Sequence, residues 1–377
     1  MINNNVIKLS RCSIDDSELH ALKQVFSDAY LGMGKQVFEF ENEIKAYLNT
    51  QQDVVCVNSG TAALHLAVSC LDIGPGDEVL LPTLTFAACY QAISATGATP
   101  VACDIREDTL SIDLQSAEKY LTHRTRAIMP VHYASHVTEI DAIHNFAKIN
   151  QLRVIEDAAH AFGTDLPNGN RVGSQGDIIC FSFDGIKNIT CGEGGAVLTN
   201  DSILLERLRD ARLLGIEKDS LKRKEGKRSW EFDIKHQGYR YHMSDINAAI
   251  GRAQLRKISG FKERRRNIVR EYTKNLKNIS IITLLELDYE NIMPHIFVIR
   301  VLNQKRDGLK NYLQEYNIET GIHYRPNHLL TRYKTKYSLE KAEKIYQEIL
   351  TLPLHVGITE QEQENIISLI KEYCHHA

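Results

Sequence analysis

Lys187 lies within SFDGIKNITCGEGG (182–195), after an apolar run and ahead of a glycine-rich turn, with Gly185, Gly192, Gly194 and Gly195 as small neighbours. Lysines ordinarily belong on solvated surfaces. An amine held between a buried strand and a tight turn can instead lose water and become nucleophilic toward a carbonyl. The small neighbours leave room for a planar ring. Asp157 closes an apolar strand in VIEDAAHAFG, at the end where open α/β sheets hold ligands. A carboxylate there can pair with a protonated ring nitrogen, although capping the next segment would need the same residue type. His160 follows three residues later and can reach a hydroxyl on that ring. A lone histidine is more often a structural hydrogen-bonder.

Two more stretches supply what a phosphorylated ring requires. In NSGTAALHLA, Ser59, Gly60 and Thr61 lead into a helix whose unpaired N–H groups and positive end suit a phosphate. An ordinary helix cap gives the same pattern. Ser182 can donate to that phosphate. Phe86, in PTLTFAACYQAI, follows a strand end and can stack on a flat ring, though core aromatics are commoner there. An imine-forming lysine, an acid for a ring nitrogen, phosphate donors and a stacking ring together point to pyridoxal phosphate.

The elements that must position these residues alternate. From about residue 53, short apolar runs (DVVCV, DEVLLP, TPVACDI, RAIMPVHY, RVIED) interleave with helical stretches near 61–73, 86–95, 114–120 and 139–149. Such alternation predicts a mostly parallel sheet covered by helices on both faces. DIICFSF and GAVLTND then flank the lysine turn with no helix between them, which predicts a hairpin-like excursion at a sheet edge. EKDSLKRKEGKRSW (217–230) reads as a solvated, mobile surface loop. Long helices are expected from about Ser244 to Lys277. The strand PHIFVIRVL, a helix ending near Tyr316, IETGIHYR and a last helix from about Thr359 form a smaller C-terminal α/β domain. The expected division is 1–250, the large cofactor-binding domain, and 251–377.

Bulk properties exclude several classes. The chain has 377 residues, 43% apolar and 25% charged, with a net charge of -3, which argues against nucleic acid as the main partner. No apolar run is long enough to span a bilayer, and MINNNVIKLSRC lacks a secretory core, so a cytoplasmic, membrane-free protein is expected. The eight cysteines contain no C-x-x-C pair, so neither a metal site nor a disulfide framework is expected.

On these residues the chain resembles the DegT/StrS-type nucleotide-sugar aminotransferases, which have the aspartate aminotransferase fold (fold type I). The likeness runs from LGMGKQVFEFE through the four stretches above and GYRYHMSDINAAIGRAQL to GIHYRPNH and LPLHVGITEQE. The resemblance implies that Lys187 is the Schiff-base lysine and that Asp157 pairs with the pyridine nitrogen. It also implies that His160 approaches the ring hydroxyl, that Ser59, Gly60, Thr61 and Ser182 hold the phosphate, and that Phe86 stacks. His323, Tyr324 and His328, in GIHYRPNH, are the expected contacts to the sugar nucleotide. A strand–turn with core aromatics would give the same residues.

Two departures from the family pattern stand out. Where the family usually has G-Y-N-Y-R, this chain has GYRYH, so Arg240 replaces the asparagine that reaches the neighbouring subunit's phosphate. In VHYASHVTEID, Ser135 or His136 stands where the family commonly has a glycine. The resemblance implies a homodimer with shared active sites. Ala248, Ala249, Gly251 and Ala253 would let the helix after Ser244 pack closely against another surface, which an internal packing helix would also require. It implies transfer of an amino group from L-glutamate to a nucleotide sugar. The short turn KNITCGEGG is similar to the group acting on 4-keto-6-deoxy sugars, whereas enzymes acting at C-3 tend to have a longer turn. Sugar dehydratases of this fold carry histidine at the lysine position, and Lys187 argues against them. A cofactor-binding sensor protein would show a damaged constellation or an added DNA-binding module, and neither is visible in the sequence.

Overall fold

The computed structural model describes residues 6–137, 139–217 and 231–376. The charged stretch 217–230 lies, apart from its first residue, outside them. Seven strands form the main sheet: β1 (Asp53–Val57), β2 (Glu78–Pro82), β3 (Thr99–Cys103), β4 (Thr125–Ile128), β5 (Arg153–Asp157), β6 (Ile178–Ser182) and β7 (Gly195–Thr199). Their order is β1-β7-β6-β5-β4-β2-β3. Every adjacent pair is parallel except the two that involve β7.

Both faces of this sheet are buried, and the period of two shows in where the side chains go. Val55 and Val57 of β1 join one core cluster, while Val54 and Cys56 join the other. Ile178 and Cys180 of β6 divide from Ile179 and Phe181 in the same way. Strands covered on two sides read as near-continuous apolar runs, which explains the alternation of apolar and helical stretches in the sequence. The helices Gly60–Cys70, Ala87–Ala95 and Ser202–Ala211 cover one face; Lys35–Leu48 and the start of Asp245–Leu276 cover the other.

β6 and β7 pair antiparallel, with Ser182 opposite Gly195, so the lysine turn does connect a hairpin. Its place differs from the expected sheet edge. β1 pairs with the far side of β7, from Asp53 opposite Thr199 to Val57 opposite Gly195. The hairpin is therefore flanked by strands on both sides, which fixes its tip more firmly than an edge would.

A second sheet of three antiparallel strands, β8 (Ile282–Leu284), β9 (Phe297–Val301) and β10 (Ile349–Leu352), has the order β10-β9-β8. It shares its own core with the helices Arg306–Glu315 and Glu360–His376. The single helix Asp245–Leu276 serves both cores: Ile258 and Phe261 belong to the first, and Ile268, Val269, Tyr272 and Leu276 to the second. Residue 250 falls inside this helix. Ser244 caps its start, accepting from the Asn247 N–H at 3.2 Å. Its small residues pack within the chain. A Cβ on Gly251 would lie 2.5 Å from Cys191 Sγ and 2.7 Å from the Phe40 ring. The close approach anticipated there is thus an internal one. Among the described residues, no helix is long and apolar enough to cross a membrane.

Candidate active site

The C-terminal ends of β5 and β6 open into a cavity of about 290 Å³. Ser59, Gly60, Thr61, Phe86, Asp157, His160, Ser182, Lys187, His323 and Tyr324 all line it. Two roomier cavities, of about 590 and 520 Å³, lie beside Arg207 and His144 and receive none of these side chains.

The phosphate end is built from a helix start and a strand end. Ser59 caps the helix Gly60–Cys70, its Oγ accepting from the Ala62 N–H at 3.1 Å. The first N–H groups of a helix have no intrahelical partner and are free for an anion. Ser182, the last residue of β6, is buried against them. A Cβ added at Gly60 would lie 2.7 Å from Ser182 Cβ, so only glycine admits this close approach.

At the ring end, Asp157 is buried at the tip of β5. Its Oδ1 accepts from the Ala159 N–H at 3.0 Å, and its Oδ2 accepts from Cys89 Sγ at 2.8 Å. His160 Nε2 lies 3.1 Å from the Tyr324 hydroxyl, and its buried Nδ1 has no hydrogen-bond partner among the described residues. The Phe86 side chain stays 60% exposed at the mouth, 5.8 Å from the Tyr324 ring centre to centre. That leaves its ring available for stacking rather than committed to the core.

Lys187 Nζ has no hydrogen bond or ion pair among the described residues. Burial lowers its pKa below the usual lysine value, while the charges of Asp157 and Asp184 pull the other way. Burial also keeps the nearby histidines neutral, helped by the Lys187 charge: His160 well below its ordinary pKa, and His323 down to about 4. The His295 ring lies 4.4 Å from the His160 ring, centre to centre and tilted by 46°, and its pKa is lowered in the same way, burial being the main cause. In the unfolded chain these rings would take up protons below about pH 6.5. Folding therefore loses stability as pH falls from about 6.5 toward 4. The cofactor-free protein should show a falling denaturant midpoint across that window, and His295→Asn should flatten the slope. An unchanged slope in that variant would remove His295 from the linkage.

Two predicted residues lie elsewhere. Arg240 is exposed and does not line the cavity; its carbonyl accepts from Asn58 Nδ2 at 3.5 Å. His328 is buried, held between Thr83 Oγ1 at 2.7 Å and Glu343 Oε1 at 3.1 Å, and does not face the cavity in this structure. Ser135, one of the two residues at which the family's glycine would fall, has φ +71° and is fully buried; its Oγ hydrogen-bonds the His160 and Met293 carbonyls. Those bonds offset the cost of a left-handed serine and hold the segment carrying His160. Cys89 and His295 are absent from the sequence reading. Cys89 had a weak signal, three residues after Phe86 on one helix face. His295 had none, since it enters from the segment before β9.

A match to the model of the DegT/DnrJ/EryC1/StrS aminotransferase family spans residues 12–371. The chain belongs to this aminotransferase family. The solved structures agree. TlmJ, an aminotransferase from Streptoalloteichus hindustanus, is 30% identical, with 98% of this chain and 99% of that one covered and a TM-score of 0.91. DesV of S. venezuelae, solved with a ketimine intermediate, is 33% identical over 95% and 94%, with a TM-score of 0.86. The putative sugar aminotransferase Spr1654 of Streptococcus pneumoniae, in its PMP form, is 29% identical over 99% and 98%, with a TM-score of 0.90. It has also been solved in a PLP form. The expected fold, activity class and cofactor of this aminotransferase agree with these relatives. Its own residues fit pyridoxal phosphate as well. The Gly60 cradle and the Lys187 amine, which has no hydrogen bond among the described residues, open on a space that already holds a carboxylate.

Proposed function

We propose that this aminotransferase moves an amino group from L-glutamate to the C-4 keto group of a nucleotide-linked 4-keto-6-deoxy sugar. The observation that supports it most is the convergence of the Lys187 amine, the Asp157 carboxylate and the Gly60 helix start on one cavity. Ser59, Gly60, Thr61 and Ser182 would hold the phosphate of pyridoxal phosphate, Asp157 its ring nitrogen, His160 its hydroxyl, and Phe86 one ring face. When bound, the cofactor supplies an electron sink for the charge left on a carbon that loses a proton. Lys187 Nζ takes that proton from the α-carbon of the amino donor, and in the second half-reaction delivers one to C-4 of the sugar. An amine below its usual pKa, with no ion pair to release, is suited to both transfers. His323 and Tyr324 also line the cavity and would meet the sugar nucleotide.

The C-4 assignment is supported by the short turn KNITCGEGG. A homodimer is supported by the family's use of the 238–242 turn across subunits, in which exposed Arg240 would serve the partner's phosphate; an active monomer in sedimentation would exclude it. We keep 1–250 and 251–377 as the proposed domains, and a cytoplasmic location as the proposed setting. The test is a panel of dTDP-, UDP- and GDP-linked 4-keto-6-deoxy sugars and a 3-keto sugar, each with glutamate, following 2-oxoglutarate release. Turnover on a 4-keto sugar is expected. Turnover on the 3-keto sugar alone would move the site of amination, and cofactor binding without any turnover would favour a sensor.

A further inference from the structure

We propose that Cys89 is a positioning residue for this aminotransferase: its thiol holds the Asp157 carboxylate in the orientation that meets the cofactor's ring nitrogen. The inference rests on the proposed pairing of Asp157 with that ring.

Cys89 sits on the first turn of the helix Ala87–Ala95 and is fully buried. Its Sγ donates to Asp157 Oδ2 at 2.8 Å. Thr85 Oγ1 lies 3.3 Å from the same sulfur, and the Thr85 carbonyl accepts from Asn327 Nδ2 at 2.7 Å, so the thiol has a fixed neighbour behind it. The other oxygen of Asp157 already accepts from the Ala159 N–H. With one donor on each oxygen, rotation of the carboxylate is restricted. A carboxylate offers about four acceptor positions, so two remain, and the open side is the cavity.

The remaining titratable groups that Asp157 influences are Lys187 from the hairpin turn, Tyr324 from the 323–326 segment and Cys180 from β6. None of them has a hydrogen bond to Asp157 among the described residues, which leaves Cys89 as its side-chain donor there. Burial first, and the Asp157 charge second, raise the pKa of the Cys89 thiol well above its usual value. The sulfur therefore keeps its proton and remains a donor across the working range of pH.

Serine and alanine have nearly equal volumes, so the comparison of Cys89→Ser with Cys89→Ala isolates the donor from the packing. Cofactor-free protein is titrated with pyridoxal phosphate by fluorescence quenching, and the absorbance maximum of the loaded protein is recorded. Cys89→Ala should weaken binding by about five- to tenfold and shift the band, while Cys89→Ser stays within about twofold of wild type. Cys89→Thr, which fills more of the space and keeps a hydroxyl, replaces the serine variant if thermal melting shows that variant loosened. In an Asp157→Asn background, Cys89→Ala should add no further loss. Equal losses in the Ser and Ala variants, or full additivity with Asp157→Asn, would overturn the proposal and leave the thiol as packing. If Asp157→Asn alone changed neither affinity nor band, the ring pairing itself would fall, and the positioning role with it.

Discussion

Replacing Lys187 by alanine should abolish amino-group transfer while leaving the fold intact. The side chain has no hydrogen bond or ion pair among the described residues, so its removal orphans nothing. Taking away a partly desolvated amine carries little stability cost, and the melting midpoint should hold. The chemical loss is of another size. General acid–base catalysis alone contributes about 10²–10⁴-fold, and loss of the covalent anchor adds to it. Lys187→Arg should fail as well, because a guanidinium stays protonated. Two readouts separate the roles: turnover with glutamate, and the cofactor mass retained by the chain after borohydride. Measurable transamination by the alanine variant would sink the assignment.

Asp157→Asn is the second large effect. The variant should still take up the cofactor, since the Gly60 helix start, Ser182 and Phe86 are untouched. It should lose the charge proposed to keep the ring nitrogen protonated. An amide also has a single oxygen, whereas Asp157 now accepts from Ala159 and Cys89 on separate oxygens. One of those donors must then face an NH₂ group. A barrier increase of about 3 kcal/mol, roughly 10²-fold in rate, is expected in a single-turnover amine transfer. Matching wild-type and variant rates would show that no electron sink depends on this carboxylate.

Lys187, Asp157 and the 59–61 turn were legible because they stand in a hairpin turn, at a strand end and at a helix start, and such boundaries are written locally in small residues and caps. The alternation of apolar and helical stretches gave the main sheet for the same local reason. What tertiary contact decides was hidden. His328 sits beside the Tyr324 turn in sequence, yet its ring is drawn under Thr83 and against Glu343. The hairpin seemed to be at an edge because nothing near β7 says that β1, over a hundred residues earlier, pairs with its far side. The small residues after Ser244 fit an inner surface and an outer one equally well until Phe40 and Cys191 are seen against Gly251. Cys89 and His295 act through neighbours from other elements, which spacing does not record.

The helix Asp245–Leu276 has a consequence for how the protein comes apart. At 1.5 Å per residue its 32 residues make a rod about 48 Å long. Ile258 and Phe261 anchor one length of it, and Ile268, Tyr272 and Leu276 the other. A rod clamped in two places pools the cohesion of both. Melting the smaller core would strip the apolar contacts from half a helix whose other half is still held, and neither part keeps a complete set of packing partners alone. The two cores should therefore behave as one cooperative unit under heat, and a chain cut at residue 250 would break the element that joins them.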